Sequence, residues 1–212
     1  ARAALGLRQD AAVLLFAGRI QPLKSPDVLL RAAAVLLQRR PDLRERLVVP
    51  IVGGPSGSGL DHPESLADLA ADLGIGDVVR FAPPVTQAEL VTGYRAATLV
   101  AVPSRNEPFG LGAVEAQACA TPGRAAGGGG RRTAVADGAS GLLRETYDPG
   151  AWADAISTVV DAPDLRGSFG RGARLHARRF GWDATAAQTL DSYADARAAL
   201  AGQQRALLLR AQ

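Results

Sequence analysis

The stretch RNEPFGLGAVEAQACATP, from Arg105 to Pro122, holds two carboxylates eight residues apart, Glu107 and Glu115. A carboxylate accepts hydrogen bonds from neighbouring hydroxyls, so each could grip a vicinal diol. Between them, Phe109, Gly110 and Leu111 stand where a helix would begin, and the first N–H groups of a helix lack an intrahelical partner. Such a helix start attracts anions. Eight residues of helix rise about 12 Å, roughly the span from a sugar across a diphosphate to a ribose. An isolated pair at this spacing reads as a capping acid and a solvated helix glutamate, so its neighbours must decide.

A second group lies in AGRIQPLKSPD (17–27), where Arg19 and Lys24 precede a helix opened by Ser25 and Pro26. Two cations beside a helix N-terminus make an anion site. Lys24 is the one lysine among 24 basic residues, and an ammonium does chemistry that a guanidinium cannot. The loop has no GxGxxG fingerprint, which argues against a dinucleotide there. GGPSGSG (53–59) could let a backbone approach a ligand closely, although such loops are commonly plain connectors. His62 and His176 match no metal-binding spacing, and packing or surface roles are expected for both. Cys119 reads as a small core residue. Trp152, Phe180 and Trp182 are expected to pack C-terminal helices.

The elements that must hold these residues are legible as alternating runs. AAVLLFA (11–17), LVVPIVG (47–53), VVRFA (78–82) and TLVAVP (98–103) are short, Val/Leu-rich and bounded by Gly or Pro, as strands buried on both faces are. Between them SPDVLLRAAAVLLQRR, HPESLADLAADLG and TQAELVTGYRAA carry apolar residues at helical spacing behind Ser, Thr or Pro start signals. This alternation predicts an α/β fold, a doubly wound, Rossmann-like parallel sheet whose ligands sit at the carboxyl ends of the strands. From Pro149 to Gln212 the pattern predicts three helices.

Composition excludes other classes. The 212 residues are 47% hydrophobic, enough for a real core, but no apolar run approaches membrane-spanning length. A net charge of +3 and 5% aromatics do not make a nucleic-acid surface. The single cysteine and the lack of a signal segment point to a reducing, cytoplasmic setting. With no methionine even at position 1, the chain is expected to be part of something longer.

FAGRIQPLKSPDVLLRA, PIVGGPSGSG, YRAATLVAVPSRNEPFGLGAVEAQACATP and ADGASGLL together resemble the donor-binding, C-terminal half of retaining nucleotide-sugar glycosyltransferases of the two-Rossmann-domain (GT-B) type. GRIQPLKSPD and GGPSGSG are most similar to the inositol 3-phosphate glycosyltransferases of actinobacteria, which move N-acetylglucosamine from UDP-GlcNAc to 1D-myo-inositol 3-phosphate in mycothiol biosynthesis. The resemblance covers about residues 5–195. It implies that Arg19 and Lys24 hold the diphosphate, Glu107 contacts the transferred sugar and Glu115 the ribose. It implies that Val85, in FAPPV, lies where backbone groups read the uracil, and that magnesium sits on main-chain oxygens of Tyr94, Arg95 and Ala97 with Thr121 near by. Residues 1–212 would then form the donor-binding domain, with 149–212 its helical portion. The inositol phosphate acceptor would belong to an absent N-terminal domain, and a homodimer is allowed. Two other readings stay open: a non-catalytic nucleotide-binding remnant and a UDP-sugar epimerase of the same architecture.

One stretch departs from that pattern. After Pro122 a valine-rich strand is expected, and GRAAGGGGRR (123–132) stands there instead, at equal length. This reads as a compensated frameshift, or else as divergence to a flexible loop. Either reading puts a fifth core strand and the nearby donor contacts in doubt.

Overall fold

The computed structural model describes residues 1–54, 65–126 and 131–210, so residues 55–59 of the glycine-serine loop and His62 lie outside the described residues. Six parallel strands form one sheet: β1 (Ala12–Ala17), β2 (Leu47–Val52), β3 (Val79–Ala82), β4 (Leu99–Val102), β5 (Gly123–Ala126) and β6 (Gly141–Arg144). Their order is β3-β2-β1-β4-β5-β6. The chain therefore winds outward from β1 in one direction and from β4 in the other. Loops leaving β1 and β4 part at their carboxyl ends and open a crevice between them.

The helices follow from the same sequence signals. The first, α1 (Pro26–Arg39), has proline in its first turn, where the missing N–H costs nothing, and nine of its residues are buried. The next, α2 (Ser65–Asp72), leads to α3 (Gln87–Ala96), which begins with a full capping box: Thr86 accepts from the Glu89 N–H, and Glu89 answers on the Thr86 N–H. Such a box satisfies two otherwise orphaned donors. Further on come α4 (Leu111–Ala118), α5 (Arg131–Ala134), α6 (Pro149–Asp161), α7 (Pro163–Ala177) and α8 (Trp182–Arg210). The expected three-helix tail is thus present as α6, α7 and α8. Residues 1–177 form one compact unit and 178–212 a second.

In the first unit Leu14, Leu29, Leu30, Leu36, Ile51, Leu99, Trp152 and Ile156 are fully buried. These residues join β1, β2 and β4 to α1 and α6 in one apolar cluster. Trp152 packs as expected and donates its indole N–H to the Thr146 carbonyl at 2.8 Å. Trp182 does not: its side chain is 87% exposed, because α8 opens there without an apolar surface over that ring. Gly53 shows why the second strand ends in glycine. A Cβ there would stand 1.9 Å from the Gly18 carbonyl oxygen, and its φ is +149°. Only glycine lets the loops after β1 and β2 approach this closely.

The doubt over a fifth strand is corrected. Residues Gly123–Ala126 form a fully buried strand paired with β4 on one side and β6 on the other. Backbone ladders need no side chain, so GRAA suffices to extend the sheet. The glycine run 127–130 lies outside the described residues. Arg124 is left in the core, 0% exposed, with its guanidinium 4.4 Å from the Trp152 ring centroid.

Candidate functional site

The crevice at the β1/β4 switch point is lined by Arg19, Lys24, Tyr94, Ser104, Glu107, Leu111 and Glu115 among others, and encloses about 340 Å³. A neighbouring recess of about 320 Å³ shares Ala17, Gly18, Arg19 and Leu90 with it and is closed by Gly53, Gly54, Pro84 and Val85. Volumes of this size are ordinary for small-molecule sites. The candidate residues of four separate loops thus converge.

Lys24 reaches the crevice from a short 3-10 turn, Pro22–Lys24. That turn ends at Ser25, a non-glycine residue held in the left-handed region with φ 49°. Its hydroxyl donates to the Pro22 carbonyl at 2.9 Å and its side chain is buried, which holds the strained backbone in place. The Arg105 N–H donates to the Leu23 carbonyl at 2.7 Å, so the loops after β1 and β4 are tied directly to each other. Arg105 itself lies over the Tyr147 ring at 4.6 Å.

Across this tie the Lys24 ammonium donates to Glu107 at 2.5 Å, both side chains being mostly buried. The other Glu107 oxygen accepts from the Gly110 N–H at 3.2 Å. Burial pushes the Glu107 carboxyl up, but the Lys24 ammonium and the N–H groups of Gly110 and Phe109 outweigh it and hold the group below its ordinary range. Glu107 therefore carries its charge between Lys24 and the start of α4. It occupies the place where Lys24 and the start of α4 would meet a phosphate.

Two expectations change in detail. Gly110 is the cap residue of α4, with φ 95°, rather than part of its first turn. Glu107 stands in the preceding loop, so the interval to Glu115 is not eight residues of helix. The capping reading of Glu107 holds, since one carboxylate accepts from the Gly110 N–H at the helix start and from Lys24.

Glu115 lies on the exposed face of α4 and accepts a hydrogen bond from the Tyr94 hydroxyl at 2.9 Å. Burial raises the Tyr94 phenol, and the charge of Glu115 raises it further. The phenol therefore stays protonated and donates. Sequence reasoning did not find this role for Tyr94. An aromatic residue in α3, lying seven residues after the Gln87 that opens it, was the available signal. Val85 lines the recess beyond Arg19 and is exposed.

The magnesium positions fare differently. The Thr121 hydroxyl donates to the Tyr94 carbonyl at 2.6 Å, the Ala97 N–H donates to the same oxygen at 3.1 Å, and Arg2 donates to the Ala96 carbonyl at 3.1 Å. The Tyr94 carbonyl is thus already engaged by two donors. Magnesium is ordinarily held through one or two carboxylates and keeps several waters. Among the described residues no cluster of three His, Cys, Asp or Glu side chains gathers anywhere. A cavity of about 480 Å³ beside Ala97, Thr98 and Thr121 has Arg95, Arg166, Arg171 and Arg174 as its charged lining side chains. Of the oxygens expected to hold magnesium, the Tyr94 carbonyl and the Thr121 hydroxyl do lie together, 2.6 Å apart.

The sequence profile of the family Glycosyl transferases group 1 matches residues 1–176. The chain belongs to the group 1 glycosyltransferases. It is 63% identical over 204 residues to D-inositol 3-phosphate glycosyltransferase of Nocardioides sp., covering 93% of this chain and 44% of the relative. Identity to the Streptomyces coelicolor protein of that name is 58% over 193 residues, covering 91% and 42%. Among solved structures, sucrose-phosphate synthase from Thermosynechococcus elongatus superposes with a TM-score of 0.80 at 32% identity, covering 93% of this chain and 48% of that one. Anabaena Alr3699/HepE in complex with UDP-glucose gives 0.77 at 26%, covering 90% and 51%. The chain thus spans about half the length of these relatives. The six-stranded parallel sheet is the Rossmann-like fold of GT-B glycosyltransferases. No helix among the described residues is long and apolar enough to cross a membrane.

Proposed function

We propose that this chain is the donor-binding half of a retaining glycosyltransferase that takes UDP-N-acetylglucosamine and glycosylates 1D-myo-inositol 3-phosphate, the opening step of mycothiol biosynthesis, in the cytoplasm. One observation carries the reading: Arg19 and Lys24 after β1, Glu107 after β4 and Glu115 on α4, parts of the chain far apart in sequence, line one crevice at the switch point. A complete crevice also favours a working transferase over a degenerate remnant. The uracil enters the recess by Val85, the ribose hydroxyls meet Glu115, and the diphosphate lies against Arg19, Lys24 and the N-terminus of α4.

In this reading the sugar C1–O bond to the diphosphate breaks with both electrons leaving on phosphate. Arg19, Lys24 and the N–H groups of Phe109, Gly110 and Leu111 stabilise that charge as it grows. Preorganised charge of this kind contributes more than covalent participation does. The diphosphate takes over Lys24 and the helix start from Glu107, which is then released to accept from sugar hydroxyls. The acceptor hydroxyl and the group receiving its proton are assigned to an acceptor-binding domain outside residues 1–212.

The test is an assay of the full-length protein with UDP-, ADP- and GDP-linked sugars and inositol 3-phosphate. Transfer from UDP-GlcNAc with the anomeric configuration kept is expected, and Lys24→Ala should lower kcat by roughly 10²–10³-fold, the scale of losing one transition-state donor. A higher kcat/KM with an ADP- or GDP-sugar would contradict the donor assignment.

A further inference from the structure

Tyr94 lines the donor crevice, yet the proposed complex gives it no contact with the ligand. Its side chain is 2% exposed. The ring shares an apolar cluster with Leu15, Val100 and Ala116. Leu15 and Val100 are register partners across β1 and β4, and Ala116 adjoins Glu115 on α4. The ring is thus set among the two strands of the switch point and the helix that carries Glu115. Its main chain is held as well: the Tyr94 carbonyl accepts from the Thr121 hydroxyl at 2.6 Å and from the Ala97 N–H at 3.1 Å. The hydroxyl emerges beside the first turn of α4, where a Cβ on Gly112 would stand 3.8 Å from it.

Glu115 is the opposite kind of residue. It lies on the exposed face of α4, and an exposed glutamate turns about several side-chain bonds. Stilling such a side chain when a ligand binds costs affinity, and holding it still beforehand removes that cost. Among the described residues its hydrogen-bond partner is the Tyr94 hydroxyl, at 2.9 Å. A carboxylate only accepts, so the direction of this bond is fixed. The bond engages one oxygen, Oε2, and leaves Oε1 to a ligand. A rigid donor therefore orients a mobile acceptor before the nucleotide arrives.

We propose that Tyr94 is a positioning residue for ribose recognition, its hydroxyl fixing the Glu115 carboxylate so that the open oxygen meets the vicinal hydroxyls of a nucleoside diphosphate. This rests on the reading of Glu115 as the ribose contact. It makes the preference for a ribonucleotide a property of two residues 21 positions apart, rather than of Glu115 alone. A buried phenol seeks a partner in any fold, but a merely structural hydroxyl would support every ligand equally.

The experiment is calorimetric titration of wild type and Tyr94→Phe with UDP and with 2′,3′-dideoxy-UDP. Phenylalanine keeps the packing with Leu15, Val100 and Ala116, and losing the hydroxyl leaves no buried group unpaired, since Glu115 is exposed. The two affinities are compared within each protein, so a smaller folded fraction cancels. Tyr94→Phe should bind UDP roughly three- to tenfold more weakly, the scale of leaving one such side chain unfixed, and the dideoxy compound within about twofold of wild type. In a Glu115→Ala background the same substitution should cost UDP nothing further, because no carboxylate remains to be held. An equal loss on both ligands, an unchanged UDP affinity, or a further loss in the Glu115→Ala background would overturn the proposal. Equal binding of UDP and the dideoxy compound by wild type would overturn the ribose reading of Glu115 and the proposal with it, and that failure is seen in wild type alone.

Discussion

Glu115→Gln is expected to weaken UDP by roughly tenfold or more. In the proposed complex the carboxylate accepts from two ribose hydroxyls while holding the Tyr94 hydroxyl at 2.9 Å. The glutamine amide has one good acceptor, and Tyr94 already claims an oxygen. A hydrogen bond to a charged group contributes about 1.5–3 kcal/mol, which sets the size of the loss. Glu107→Gln makes the contrast. Removing that charge frees Lys24 from a partner at 2.5 Å and clears the start of α4, so UDP should bind at least as well as to wild type. The cost should fall on UDP-GlcNAc, whose sugar hydroxyls lose their acceptor. Calorimetry with both nucleotides on both variants checks this. If Glu107→Gln alone lost UDP, the order of contacts along the ligand would be reversed.

Arg124→Met should raise the melting temperature by several degrees. The native guanidinium is fully buried, and its Nε and one terminal nitrogen have no hydrogen-bond partner among the described residues. One terminal nitrogen donates to the Ala125 carbonyl at 2.7 Å, and Trp152 offers its ring face. Burial, with the charge of Arg144 adding to it, depresses the pKa to about 10. Replacing a buried charge by an apolar side chain of similar volume commonly stabilises by about 1–4 kcal/mol. For a unit of this size each kcal/mol is roughly 2–4 °C. Arg124→Ala should gain less than Met because it leaves a void beside Trp152. A Met variant melting below wild type would show that the guanidinium is stabilised where it lies. The same position falls where a valine-rich strand was expected, and resequencing codons 123–132 tests the frameshift reading directly.

How far the sequence could be read depended on how local each signal was. β1 and β2 were legible because AVLLFA and LVVPIV are apolar runs ended by glycine, and a run of that kind has little choice but burial. The switch-point crevice then followed from the alternation of strand and helix. Lys24 stood out as the lone lysine, but its partner lies 83 positions away, and no local pattern announces an ion pair closed by tertiary structure. The same holds for Tyr94 and Glu115, and for the four arginines brought together from α3 and α7. GRAA was misjudged for the opposite reason. Its side chains predict a poor strand, yet β4 and β6 supply backbone partners on both edges and override propensity. Trp182 was misplaced because an indole on an apolar-patterned helix was assumed to find a core.

In the proposed complex Arg19, Lys24 and the start of α4 form a diphosphate cradle within a nucleotide site. Calorimetric titration of the chain with UDP and with uridine under identical buffer and salt tests it most directly. Both ligands present the base and ribose to Val85 and Glu115, and only UDP presents phosphate. UDP should bind at least tenfold more tightly, with the difference shrinking as salt screens the cations and in Lys24→Ala. Equal affinities for UDP and uridine would contradict the account.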